Sequence, residues 1–185
     1  MPWNVPNTLT GLRIAAIPLI VLLFYMPYPW ADPAAGLLFA AAGITDSLDG
    51  YFARRLGQTS RLGAFLDPVA DKLIVAVALV LLVSKDPRAL IVLTAAVIIG
   101  REITISALRE WMAEIGARRK VAVSVLGKYK TILQITGLSL MLYHSRLFGI
   151  LPTYDLGVGL TVIAAVATLV SMVAYLRAAW PELKR

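Results

Sequence analysis

Residues 46–71 read DSLDGYFARRLGQTSRLGAFLDPVAD. On a helix Asp46, Asp49, Gly50 and Ala53 fall at i, i+3, i+4 and i+7, which is one face. Asp67 and Asp71, at i and i+4, also share a face. The stretch between the two groups, Arg55–Leu62 (RLGQTSRL), is short enough to make the flanking helices antiparallel neighbours. Four carboxylates can therefore meet across one helix pair.

The sequence around this stretch is strongly apolar. Of 185 residues 59% are hydrophobic and 16% charged, and the mean hydropathy is +0.77. A water-soluble domain of that composition would expose too much aliphatic surface, so the chain reads as an integral membrane protein. About 20 apolar residues cross a bilayer's hydrocarbon layer, and six such runs are expected. The first lies within about Thr8–Tyr28, with Pro18 as a candidate kink, and Met26–Ala34 (MPYPWADPA) is expected as an interfacial turn. The second runs from near Ala35 into the first aspartate group, and the third begins at about Ala64. Ser84–Arg88 is a short turn, the fourth span covers about Ala89–Ala107, and Arg109–Val121 is a charged amphipathic connection. The fifth covers about Val123–His144 and the sixth about Asp155–Leu176. The expectation is an all-α polytopic membrane protein, 1–185 forming one domain. Met1–Thr10 lacks a basic n-region and reads as an interfacial lead-in with Trp3 as anchor rather than a processed leader.

Charge gives the orientation. There are 18 Lys+Arg against 11 Asp+Glu, a formal net charge of +7. Six spans put both termini on one side, and of the basic residues only Lys85, Arg88 and Arg146 fall on the other. The positive-inside rule then puts both termini in the cytoplasm, and with them the four aspartates, Arg101, Arg109, Lys128 and Lys130. No basic face interleaved with aromatics suggests nucleic acid. With no cysteine, disulfides, thiolate metal sites and cysteine nucleophiles are excluded. The single histidine, His144, reads as an interfacial helix-end side chain.

Four carboxylates near hydrocarbon repel one another and lose solvation, so they need cations or protons. An all-oxygen ligand set favours Mg²⁺, Mn²⁺ or Ca²⁺. Carboxylates from facing helices suit a two-metal site about 3.5–4 Å across, which clamps a phosphoryl or pyrophosphoryl group. Gly50 and Ala53 leave room for a substrate against the backbone, Gly63 lets the second helix begin tightly, and Arg54 is placed to meet phosphate charge. Helix capping at an interface explains one or two of these aspartates, such as Asp46 and Asp67, but not four. A cation channel or proton relay also uses intramembrane carboxylates, yet a pore does not need the Gly/Ala spacing or the adjacent arginine.

The pattern Asp46-x2-Asp49-Gly50-x2-Ala53-Arg54-x8-Gly63-x3-Asp67-x3-Asp71 resembles the signature of the CDP-alcohol phosphatidyltransferase family, with every fixed position present. Asn4–Ile14 (NVPNTLTGLRI), Gly100–Gly116 (GREITISALREWMAEIG) and Leu126–Thr131 (LGKYKT) are similar to bacterial members of that family. The resemblance implies a six-helix, homodimeric enzyme of phospholipid biosynthesis in the inner membrane, its active site facing the cytoplasm. The donor would be CDP-diacylglycerol and the acceptor sn-glycerol 3-phosphate, giving phosphatidylglycerol phosphate and CMP. Acceptors such as inositol phosphate, serine or phosphatidylglycerol are the alternatives within the family. Asp46, Asp49, Asp67 and Asp71 would surround one or two Mg²⁺ or Mn²⁺ ions, with Asp71 also the general base. Asp49, Gly50, Ala53, Arg54 and Gly63 would line the cytidine diphosphate site, together with Asn7 and Thr10 of the N-terminal stretch.

An acceptor bearing its own phosphate needs further cations; Arg101, Arg109, Arg118, Arg119, Lys120, Lys128 and Lys130 are the candidates, of which Arg101, Arg109 and Lys128 are favoured. Glu102 adjoins Arg101, but neighbouring helical residues do not face each other, so this pair need not cancel. Arg118–Lys120 reads as a solvated or lipid-facing group. Asn7 or Thr10 is alternatively a cap for the first span. Lys72 either balances the acidic site or snorkels to the surface. Gly137, Gly157 and Gly159 read as close-packing positions.

Overall fold

The computed structural model describes residues 5–56, 61–117, 125–147 and 149–184, with side chains at all of these except 5–6, 46–56, 61–62, 64, 125–128 and 183. Six helices follow in chain order: α1 (Val5–Tyr25), α2 (Ala31–Leu56), α3 (Arg61–Lys85), α4 (Ala89–Glu114), α5 (Val125–Tyr143) and α6 (Thr153–Leu183). The shortest, α5, has 19 residues and spans about 28 Å at 1.5 Å per residue. α1, α4 and α6 are long and apolar enough to cross a membrane. In the other three, charged residues interrupt the apolar run.

The elements depart from expectation at their ends. α2 begins at Ala31, inside the stretch expected as a turn, because Asp32 in its first turn complements the helix dipole. α4 runs to Glu114 and absorbs half of the expected connection. It stops at Gly116 (φ +73°), where Ala117 N donates to Met112 O at 2.8 Å and Gly116 N to Ala113 O at 3.1 Å. Those two bonds close a left-handed helix terminus that glycine adopts without strain. Asn7 and Thr10 lie within α1 rather than capping it. Between α5 and α6 a two-residue antiparallel ribbon joins β1 (Arg146–Leu147) to β2 (Leu151–Pro152), the one departure from an all-helical chain among the described residues. His144, exposed and left-handed at φ 46°, ends α5 and packs edge-on against Tyr154.

The core draws on all six helices, with Ile20, Phe39, Ala78, Leu82, Ile98, Leu138 and Ala165 almost wholly buried. Glycine sets how closely the helices approach. A β-carbon on Gly36 would stand 2.6 Å from Tyr143 N, and one on Gly43 2.6 Å from Ile135 Cγ2, so α2 and α5 touch along one seam. A β-carbon on Gly137 would lie 2.9 Å from Thr161 N and 3.0 Å from Gly157 O, so α5 and α6 touch along another. Gly159, expected to behave likewise, faces open space. The outward faces are apolar on every helix (Leu22, Leu37, Val80, Leu93, Ile132, Ile163), the belt a bilayer-embedded protein presents.

Candidate active site

The N-terminal halves of α1, α3 and α5 and the C-terminal halves of α4 and α6 carry one polar layer through this apolar bundle. α3 supplies Asp67 and Asp71, both half-buried and one helical turn apart. Thr10 of α1, fully buried, donates from Oγ1 to Asp67 Oδ1. One turn on, Arg13 is 2% exposed and donates from Nε to Ala42 O of α2 at 3.3 Å. Asn7 is half-buried on α1 and Gly63 is buried near the start of α3.

Asp71 lies in the wall of a cavity of about 170 Å³ formed by Gly43 and Ile44 of α2 and by Thr131, Ile132, Ile135 and Thr136 of α5. α2 is helical through Leu56, so the one-face spacing of Asp46, Asp49, Gly50 and Ala53 holds on the real backbone. The side chains of these four, and of Arg54, lie outside the described residues, as does that of Lys128. By helical spacing position 128 falls one turn before Ile132, on the α5 face that lines the Asp71 cavity.

The described donors fit a hard divalent cation in kind. Asp67 and Asp71 offer only carboxylate oxygen, and the chain's one histidine sits beyond the opposite end of α5. Among the described residues no group of three or more candidate ligands occurs.

Three cations expected at the acceptor phosphate have different surroundings. Arg109 is exposed on α4. Arg101 turns inward: Nη1 donates to Glu102 Oε1 at 2.9 Å, Nη2 to Ser171 Oγ at 3.2 Å, and the guanidinium lies 5.8 Å from the centre of the Tyr175 ring. Arg101 and Glu102 therefore do pair, although they are adjacent on the helix. Their β-carbons diverge by about 100° around the helix, but two long side chains in a low-dielectric layer bend to meet. Arg101 Nε is buried without a partner. Lys130, a candidate ranked below Lys128 on sequence, has a side chain only 5% exposed, and its Nζ reaches Glu102 Oε1 at 2.8 Å. The spacing contained the signal. Positions 130, 134, 138 and 142 share one α5 face, and Gln134, Leu138 and Leu142 are all buried.

At the far end of the bundle lies a separate polar group. Lys85 pairs with Asp32 at 3.1 Å, and Asp86 takes Arg88 at 2.6 Å and the Tyr154 hydroxyl at 2.5 Å. The Arg88 guanidinium, and then the Tyr154 hydroxyl, hold the Asp86 carboxyl well below the usual carboxylate range. This group ties the α3–α4 turn to the start of α6, away from the aspartates of α3.

Residues 3–178 match the family model described as CDP-alcohol phosphatidyltransferase. A CDP-diacylglycerol–glycerol-3-phosphate 3-phosphatidyltransferase of Pseudomonas fluorescens is 52% identical over 182 residues, covering 98% of this chain and 92% of the relative. Proteins of that name from Shigella flexneri serotype 5b (strain 8401) and Escherichia coli (strain K12) are each 48% identical over 183 residues, 99% of this chain and 98% of theirs.

Proposed function

The chain belongs to the CDP-alcohol phosphatidyltransferase family, and from that premise we propose that it moves the phosphatidyl group of CDP-diacylglycerol to sn-glycerol 3-phosphate, releasing CMP and phosphatidylglycerol phosphate. The observation that carries the acceptor is near-full-length identity of about half to relatives named for that reaction. The site chemistry is consistent with it. Asp71 borders a cavity between three helices, where a carboxylate within about 2.6–3.2 Å of an acceptor hydroxyl can take its proton. The oxygen attacks the phosphorus that bears diacylglycerol, in line with departing CMP, in a single displacement, since no activated covalent nucleophile is at hand among the described residues.

Asp46, Asp49, Asp67 and Asp71 are the residues that would hold one or two Mg²⁺ or Mn²⁺ ions, which when bound neutralise charge on the donor diphosphate and on CMP. Thr10 orients Asp67. Asn7, Thr10, Asp49, Gly50, Ala53, Arg54 and Gly63 serve the cytidine diphosphate, and Arg101, Arg109 and Lys128 the acceptor phosphate. Arg101 Nε is an unspent donor for that purpose, and position 128 lies on the cavity face of α5. The domain is 1–185, all six helices cross the inner membrane among its lipids, both termini and the site face the cytoplasm, and the enzyme is a homodimer. The distribution of Lys and Arg supports that orientation.

The test is CMP release by the purified protein with CDP-diacylglycerol, Mg²⁺ or Mn²⁺ and a panel of acceptors. Turnover is expected with sn-glycerol 3-phosphate and not with inositol phosphate, serine or phosphatidylglycerol. Metal-dependent release with another acceptor alone would overturn the acceptor, and no release with any would overturn the reaction.

A further inference from the structure

Two polar atoms on α5 and α6, Gln134 Oε1 and Thr168 Oγ1, are buried with no hydrogen-bond partner among the described residues. Gln134 is 5% exposed and Thr168 0%. Other hydroxyls of the bundle settle on their own helix one turn back: Thr94 donates to Leu90 O at 2.7 Å, Ser139 to Ile135 O at 2.7 Å and Thr161 to Gly157 O at 2.8 Å. Thr168 does not. A hydroxyl and an amide oxygen left unbonded in a dry interior are each costly.

The two atoms belong to one layer. Gly137 packs on Thr161 and Gly157 on Met141, which fixes the antiparallel register of α5 against α6. Carried two turns toward the start of α5, that register sets Lys130 level with Thr168, and Gln134 level with Ala164, one turn before Thr168. α4 meets both helices at the same height: Lys130 reaches Glu102 at 2.8 Å, and Arg101 reaches Ser171, one turn past Thr168, at 3.2 Å. The Lys130 ammonium is buried too, and among the described residues Glu102 takes one of its three N–H groups. Ala164 and Ala165, also buried, put only short side chains at this level of α6.

These unmet groups complement a single water. It would accept from Lys130 Nζ, donate one hydrogen to Gln134 Oε1 and exchange another bond with Thr168 Oγ1, and three bonds are usual for a buried water. An anion would meet the Gln134 oxygen with its own, and a metal cation would meet the ammonium. We infer that one resident water bridges Lys130, Gln134 and Thr168 and pins α5 to α6. The site is separate from the Asp71 cavity, whose α5 wall is Thr131, Ile132, Ile135 and Thr136.

The experiment measures melting temperature in detergent for Thr168→Val, Gln134→Met and the double variant, beside a map of the full-length protein at a resolution that shows ordered water. Thr168→Val trades a hydroxyl for a methyl at nearly constant shape. With the water in place it breaks a bond, and the melting temperature is expected to fall by about 2–4 °C. Without the water it removes an unsatisfied polar group, and the melting temperature rises. The double variant is expected to fall by less than the two single losses together, because the first change already loosens the shared water. A rise in Thr168→Val, or strictly additive losses, overturns the inference. Should a variant not fold, the wild-type map decides. Density within hydrogen-bond distance of both Gln134 Oε1 and Thr168 Oγ1 is expected. Its absence, or Gln134 in direct contact with Lys130, overturns the inference.

Discussion

Replacing Thr10 with valine removes one hydroxyl while nearly preserving the shape of a side chain that is wholly buried. The hydroxyl donates to Asp67 Oδ1, so the change deprives a half-buried carboxylate of a donor without opening a cavity. A hydrogen bond to a charged group is worth about 1.5–3 kcal/mol, which at 1.4 kcal/mol per decade is roughly 10–150-fold. Loss of a group that orients a metal ligand costs a similar 10–100-fold in metal affinity. The two routes agree, so the Mg²⁺ or Mn²⁺ concentration giving half-maximal CMP release should rise by about one to two decades in Thr10→Val. kcat at saturating metal should fall far less. Thr10→Ser keeps the hydroxyl and drops a methyl, so its metal dependence should stay near wild type while its melting temperature drops modestly, about 1 kcal/mol for a buried methyl. Unchanged metal dependence in Thr10→Val would refute the reasoning. Equal defects in the valine and serine variants would show that packing, not the hydrogen bond, matters at this position.

Asp71→Asn should lower kcat about 10²–10⁴-fold with KM for CDP-diacylglycerol little changed, read from initial rates of CMP release. Gly137→Ala should destabilise the protein by about 1–3 kcal/mol or more in a detergent melt, because the new methyl meets backbone atoms of Thr161 and Gly157 that cannot swing aside, whereas Gly159→Ala, facing open space, should be neutral. Asp86, its carboxyl held low by Arg88 and Tyr154, contributes stability that is present above its ordinary pKa near 4 and lost as pH falls toward its folded value. The melting-temperature gap between wild type and Asp86→Asn should therefore be constant from pH 7 to about pH 5 and shrink below about pH 4. The gap should be small throughout, since Arg88 is 63% exposed; a gap that widened on acidification would contradict the pairing.

Much of the architecture was legible before folding. Apolar runs separated by Pro, Gly and charge located six helices, because each must bury or expose its aliphatic faces as a unit. Ends were less legible. Ala31–Ala34 reads as part of an interfacial turn and Arg109–Glu114 as a charged connection, but a helix continues wherever its backbone bonds are met, and α4 stops only where Gly116 permits the left-handed turn. Of the glycines, Gly137 and Gly157 were anticipated as close-packing positions and Gly36 and Gly43 were not. A glycine's packing partner belongs to another helix and leaves no mark beside it.

The sequence by itself determined the chemistry on offer: oxygen ligands, cations for phosphate, and aspartates at helical spacing on α2 and α3. Those depend on residue type and on 3.6-residue periodicity, both local. Only the tertiary structure decided which charges meet. Arg101 reaches Glu102, Ser171 and Tyr175 with Nε left over, Lys130 is buried beside Glu102, and Thr10 serves Asp67 rather than a helix end. In a low-dielectric bundle an ionic group takes the counter-charge that packing brings within about 3 Å, and packing is set by glycine seams on helices far apart in the chain.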